Sequence, residues 1–200
     1  CTATSAPASI TVIVCDDTLN LKLFIQGYYA GSSTMTPALF NQGETIDNTV
    51  TDTIVVEIHD ENAPYAVIDS KLAILQTDGT ASCTFPNANA SYYVAIKHRN
   101  GLQTWSALPV QFGIPSISYD FTTASSQAYG DNMFEVESGV WAFYSGDLNG
   151  DENIDIGDLT ILENDISNFA FGYRAADTNG DGNVDTLDDP ILNSNLLNFV

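Results

Sequence analysis

Two twelve-residue segments, thirty positions apart, constrain this chain more than any other feature. Residues 147–158 read DLNGDENIDIGD and residues 177–188 read DTNGDGNVDTLD. Oxygen-bearing side chains fall at loop positions 1, 3, 5, 9 and 12 of both. They are Asp147, Asn149, Asp151, Asp155 and Asp158 in the first, and Asp177, Asn179, Asp181, Asp185 and Asp188 in the second. At that spacing alternate side chains turn inward around one hard cation, position 12 closes the shell, and a main-chain carbonyl at position 7 completes it. Asn153 and Asn183 hold position 7. The donors are all oxygen, which favours calcium over magnesium or zinc. The pattern therefore predicts two Ca2+ sites.

The loops are not equivalent. Position 6 needs a sharp turn, which Gly182 supplies in the second loop and Glu152 does not in the first. A non-glycine residue at positive φ costs about 1 kcal/mol, so the first site is expected to be the weaker. Position 8, Ile154 and Val184, is expected to pair the loops through the backbone. Apolar residues follow each loop at helical spacing: Leu159, Leu162, Ile166 and Phe169, then Leu187, Ile191, Leu192 and Leu196. The expectation is two short helices burying these faces against each other. Pro190 falls early in the second, where a missing N–H matters least.

Charge supports this reading. The chain has 26 Asp and Glu against 5 Lys and Arg, a net charge of −21, and twelve of the acids lie from Asp147 onward with Arg174 as the one base there. That balance argues against nucleic acid or an anionic membrane as partner. No run of about 18 apolar residues is present, so no spanning helix is expected. Three cysteines, Cys1, Cys15 and Cys83, allow at most one disulfide with one thiol left over. The chain starts at Cys1, as a processed product or excised fragment would.

Residues 15–123 read as all-β: seven or eight short alternating strands with turn signals between them indicate an antiparallel β-sandwich. The strands expected are Leu19–Ile25, Ile54–Ile58, Val67–Leu75, Ala81–Phe85, Tyr92–His98, Val110–Phe112 and Ile117–Phe121, with a polar loop over about 31–52. Residues 1–14 carry a further strand pattern at Ile10, Val12 and Val14. It must pair in its own domain, complete an upstream domain, or add to a neighbouring subunit's sheet. Residues 124–146 connect the two parts. Val140, Trp141, Phe143 and Tyr144 are too apolar for a free linker and are expected to pack between sandwich and loops; a sugar-stacking platform is the other reading of these aromatics. No catalytic constellation emerges, and no enzyme is expected. His59 and His98 read as surface residues, and Cys83 as a core residue or half a disulfide.

Residues 77–99, TDGTASCTFPNANASYYVAIKHR, resemble the transthyretin-like (prealbumin-like) sandwich families, including the carboxypeptidase regulatory-like domains and the B-type repeats of collagen adhesins. The resemblance implies a seven-stranded prealbumin- or Ig-like sandwich. Some adhesin repeats carry a Lys–Asn/Asp isopeptide, which Lys22 and Asp120 could mimic with Glu57 as the buried acid. Loop plus exit helix, duplicated, with Asp at position 12 and no entering helix, resembles the dockerin type I family more than paired EF-hands. That family binds two calcium ions and docks onto cohesin domains. Recognition there leans on loop positions 10 and 11, often small hydroxyl residues; here they are Ile156-Gly157 and Thr186-Leu187.

The strings LNLKLFIQGYY, VAIKHRNGLQTWSA, YDFTTASSQAYGDNM, VWAFYSGDLNGD and NFAFGYRAADTNGDGNVD also resemble C-terminal modules of large secreted Bacteroidetes surface proteins. That implies an extracellular or cell-surface setting. It also implies O-glycosylation at D-S/T-hydrophobic tripeptides, for which Thr18, Thr53 and Thr186 are candidates. The organisation expected is a strand or linker over 1–14, a β-sandwich over 15–123, a connector over 124–146 and a small α-helical dockerin-like calcium module over 147–200. The function expected is a non-catalytic, calcium-stabilised structural or adhesion module. The alternatives are a self-assembling filament subunit joined by strand addition from residues 9–14, and a dockerin-like or glycan-binding accessory of a larger secreted enzyme. A protein partner or self-association is expected, with no nucleic acid and no membrane insertion.

Overall fold

A computed structural model describes residues 16–198. In chain order the elements are β1 (Asp16–Lys22), β2 (Tyr29–Gly31), β3 (Thr34–Met35), α1 (Ala38–Asn41), β4 (Val50–Asp60), β5 (Val67–Gln76), β6 (Thr80–Pro86), β7 (Ser91–His98), β8 (Gly101–Trp105), β9 (Val110–Gln111), β10 (Ser116–Asp120), β11 (Phe134–Glu137), β12 (Val140–Ala142), α2 (Ile156–Ser167) and α3 (Asp189–Asn198). Two sheets make the sandwich, β10-β1-β6 and β5-β4-β7-β8, with β9 added to β7. Period-2 alternation sends Leu19 and Leu21 of β1, Ile54, Val56 and Ile58 of β4, and Val94 and Ile96 of β7 into one buried core.

The mainly-β sandwich matches the expectation, with three differences of detail. β10 runs parallel to β1, pairing Thr18 with Ser116 through Lys22 with Asp120. After β9 the chain crosses from one sheet to the other around the buried Phe112, so β10 arrives in the same direction as β1. β8 has no clear alternation to announce it, because Gly101 and Gln103 interrupt the apolar pattern; the turn at Arg99-Asn100 folds it onto β7. Residues 31–52 are not simply a polar loop. They carry β3 and α1, and the buried Met35 and Ala38 dock this segment on the core.

The isopeptide arrangement is not formed. Lys22 and Asp120 are register neighbours, but Lys22 Nζ donates to the Asp78 carbonyl and stands 5.4 Å from the Phe24 ring centroid. Glu57 lies in the opposite sheet, 3.0 Å from Lys97 Nζ and 3.1 Å from His59 Nε2. Residues 1–14, including the expected strand, lie outside the described residues, as do Cys1 and Cys15.

The connector is stitched into the sandwich. The Phe143 N–H donates to Phe24 and its carbonyl accepts from Gln26, while Leu102 and Gly146 bond to Tyr144 and Asn100 respectively. Phe143 is buried edge-on against Phe121 at 5.0 Å, and Trp141 is half-buried against the same core. Tyr144 packs instead on a second core, built from Leu148, Ile154, Leu162, Ala176, Val184 and Leu192 with Leu102 of β8. Val140, Trp141 and Phe143 of the connector thus pack on the sandwich core, and Tyr144 packs on the second core.

α2 and α3 meet through Leu162 and Leu192, both fully buried. Two of the expected core positions are corrected: Phe169 is 85 % and Leu187 64 % exposed. Phe169 follows the C-cap of α2 at a φ of 52°, so the helix has ended before its side chain can face inward. Leu187 precedes α3, in the loop turn, and points away from the helix pair. The loops do not pair at position 8: the Val184 N–H donates to the Ala170 carbonyl, and Phe171 bridges Asn183. The segment after α2 doubles back onto the second loop and occupies the edge that Ile154 would have used. Ile154 and Val184 meet as side chains in the second core.

Candidate metal centre

The two loops are built from the same hydrogen bonds. In the first, Asp147 Oδ1 accepts from the N–H groups of Gly150 and Asp151, and Oδ2 accepts from Glu152. In the second, Asp177 accepts in the same way from Gly180, Asp181 and Gly182. At position 12, Asp158 Oδ1 accepts from Leu148 and Asn149, and Asp188 Oδ1 accepts from Thr178 and Asn179. The other oxygen of each accepts from position 9, at 2.9 Å in the first loop and 3.0 Å in the second. Positions 3, 5 and 9 also organise local turns: Asn149 and Asn179 accept from Asp151 and Asp181, and Asp155 caps α2 through Gly157. A capping bond of that kind is worth about 1 kcal/mol. The spacing that suits a cation therefore also dictates the turn, because Asp and Asn side chains bond their own backbone two or three residues on.

Burial makes these carboxylates unusual. Asp158, Asp177 and Asp188 are fully buried and Asp147 is 3 % exposed. Among the described residues, no Lys, Arg or His nitrogen comes within 4.0 Å of any of them. Burial raises the affinity of Asp147 and Asp177 for a proton, and pushes Asp188 up to about 6. The carboxylates at positions 1 and 12 add to this by repulsion: Asp158 acts on Asp147, and Asp177 on Asp188. Buried carboxylates that repel each other, with no base in direct contact and with Arg99 easing Asp177 from a distance, are costly unless a cation joins them, so the donor set fits a hard divalent ion. No group of three Asp, Glu, His or Cys side chains converges as a ready-made metal site among the described residues. This is compatible with a loop site, whose shell needs the Asn149 or Asn179 amide and the carbonyl of residue 153 or 183 as well as carboxylates.

The loops differ in surroundings. Glu152 has a φ of 68° and Gly182 a φ of 94°, so position 6 takes a left-handed turn in both, and only the first loop bears its strain. At position 4, a Cβ on Gly180 would sit 2.9 Å from the Ala38 Cβ, whereas one on the equivalent Gly150 would meet nothing within 4 Å; at position 6, a Cβ on Gly182 would sit 2.6 Å from the Asn41 carbonyl. The second loop is pressed onto the sandwich. Gln42 Nε2 donates to Asp177 Oδ2 at 2.6 Å, Asn100 Nδ2 to the Asp177 carbonyl at 3.1 Å, and Asn41 Nδ2 to the Gly180 carbonyl at 2.8 Å.

Arg99 is the centre of this interface. Its Nε donates to Asp52 at 2.9 Å, its Nη2 to Gln42 at 2.9 Å and to the Tyr28 hydroxyl, and its Nη1 to the Arg174 carbonyl. Its guanidinium lies 4.4 Å from the Tyr173 ring centroid. Burial would raise the Asp52 carboxyl, but His98, Arg99 and the Thr53 N–H outweigh it and hold it down at about 2. Tyr28, Gln42, Asp52, Arg99 and Asn100 carried no sequence signal as a group, since they come from distant parts of the sandwich. The one local signal is the basic run Lys97-His98-Arg99 at the end of β7.

The Dockerin type I domain family model matches residues 145–197. Residues 145–197 form a dockerin type I-like module. Solved structures extend the likeness to the whole described architecture. Two crystal structures of type II cohesin–X-dockerin complexes from Acetivibrio cellulolyticus, one a C-terminal and the other an N-terminal interface mutant, match with TM-scores of 0.52 and 0.53. Identities are 15 % and 16 %, and each match covers 90 % of this chain and 95 % of that chain. At that identity the likeness is one of fold: a β-sandwich followed by a dockerin module. A search of curated proteins finds no significant match.

The remaining sequence candidates are scattered. Thr18 and Thr53 are half-buried in strands beside the buried Asp17 and Asp52, and Thr186 is exposed. Neither histidine is a surface residue. His59 is 5 % exposed and lies 4.2 Å from the Trp105 ring, and the His98 side chain, 2 % exposed, faces Asp52 at 3.1 Å and packs edge-on against Tyr28. Both alternate inward along β7 or β4 toward acids of their own sheet. Cys83 is a buried free thiol in the sandwich core.

Proposed function

We propose that the chain is a non-catalytic, calcium-clamped assembly module of the extracellular or cell-surface space, whose dockerin module docks a protein partner. Two ions are held, one by Asp147, Asn149, Asp151, Asp155, Asp158 and the Asn153 carbonyl. The other is held by Asp177, Asn179, Asp181, Asp185, Asp188 and the Asn183 carbonyl. The observation that carries this is the duplicated loop, with positions 1 and 12 buried and, among the described residues, no Lys, Arg or His nitrogen within 4.0 Å of them. The second ion also braces Asp177 against Gln42 and Asn100, so sandwich and module act as one unit. Docking uses the exposed loop positions 10 and 11, where Ile156 and Leu187 are 67 % and 64 % exposed. Apolar residues at these positions suit a partner groove that accepts aliphatic side chains rather than one that reads hydroxyls.

Calorimetric titration of chelator-stripped protein with calcium tests the premise. The expected result is two ions per chain, the weaker lost in Asp158→Asn and the tighter in Asp188→Asn. Free calcium at a hundredfold excess over the dissociation constant should stabilise by about 2.7 kcal/mol per site. For a domain of this size that raises the melting temperature by roughly 5–10 °C per site. A melting curve indifferent to chelator, or a stoichiometry of one, overturns the two-ion reading.

A further inference from the structure

The strained residue of the first loop points to a second binding site. Glu152 lines a cleft of about 390 Å³ whose other walls are Tyr65, Tyr93, Gln103, Trp105 and Tyr129. The rings are set at steep angles to one another. Tyr93 is 85° from Tyr65 and 90° from Tyr129, with centroids 6.0 Å and 6.5 Å apart, and lies 58° and 6.1 Å from Trp105. Such an arrangement is a box with several ring faces, unlike the single flat platform that stacks on a sugar ring. It is also braced from behind. His59 packs 4.2 Å from Trp105, and its Nδ1 bonds the carbonyl of Tyr65, which is held at a φ of 57°.

We infer that this cleft receives the basic side chain, Lys or Arg, of a protein partner. A cation over several aromatic faces is attracted by each ring's negative face, and a carboxylate at the rim adds an ion pair. Among the described residues, the lining includes the Glu152 acid and no base, on a chain of net charge −21. The charge complementarity thus selects a cation over a neutral ligand. The inference also gives position 6 a reason. A glycine there would relieve the turn, as Gly182 does, but would remove the one charged wall of the box. Strain retained at a residue that faces a cleft is what a functional constraint leaves behind. The binding needs the loop in place, not any particular ion affinity, so it stands or falls separately from the two-ion reading.

The test is a titration of the full, calcium-saturated chain with Nα-acetyl-lysine methylamide and with Nα-acetyl-arginine methylamide, followed by the indole N–H resonance of Trp105 and assigned with Trp105→Phe. Nα-acetyl-norleucine methylamide, which shares the aliphatic stem without the charge, and cellobiose are the controls. Saturable shifts with at least one basic probe, and none with norleucine, are expected. Glu152→Gln should weaken binding up to roughly five-fold. Tyr129→Ala, at a ring already 66 % exposed and so safe for folding, should weaken it roughly two- to five-fold. Equal response to norleucine reduces the cleft to an apolar groove and overturns the inference. A response to cellobiose alone makes it a glycan site and overturns it as well. So do the absence of any shift and unchanged binding in both variants.

Discussion

Asp52 offers the sharpest test of how the sandwich holds the dockerin module. Asp52→Asn keeps the shape of the side chain but removes the charge that faces Arg99 at 2.9 Å and His98 at 3.1 Å. The carboxyl is fully buried and titrates near 2, against 3.8 for an unperturbed group. At about 1.36 kcal/mol per pH unit, that difference corresponds to roughly 2 kcal/mol of stability carried by the ionised form. The folded-state pKa is depressed, so this contribution is complete above the unfolded value and disappears as pH falls through the folded one. Thermal melts of wild type and variant should therefore differ by roughly 4–8 °C at pH 7 and converge between about pH 4 and pH 2. Comparing the two proteins at each pH cancels the protonation of the calcium loops, which both share. Combining the change with Arg99→Met closes a double-mutant cycle, and its coupling should account for part of the loss, with His98 accounting for the larger share. A penalty below about 0.5 kcal/mol at pH 7, or one that persists unchanged at pH 2.5, would refute the latch.

Two further outcomes follow from burial. Leu162→Ala, at the α2–α3 contact, should destabilise the dockerin module by about 2–5 kcal/mol, while Leu197→Ala, at a site 75 % exposed, should change little; melts of the two variants decide it, and equal losses would mean the helix pair is packed differently. Burial pushes the Cys83 thiol up to about 11, so iodoacetamide at pH 8 should spare it in the native chain and label it after denaturation. Peptide mapping that finds Cys83 alkylated in the native protein would place it outside the core.

What could be read from sequence was periodic or local. The twelve-residue spacing determines the turn, because each Asp or Asn finds its hydrogen-bond donors within a few residues, and the positive φ of Glu152 follows from its place in the loop. The alternation of Leu19, Leu21 and Leu23, or of Ile54, Val56 and Ile58, marks a buried strand face for the same reason: the period is a property of the backbone. Everything that depended on which surface arrives opposite was decided by the tertiary structure. Phe169 and Leu187 have the same hydrophobicity as core residues, and only the end of a helix and the direction of a turn leave them in solvent. The parallel pairing of β10 with β1 depends on a crossover that no local pattern encodes. The Arg99 latch and the Glu152 cleft gather residues from β4, β7, β8 and the loops beyond. Their chemistry arises from juxtaposition, and a linear pattern carries no record of that.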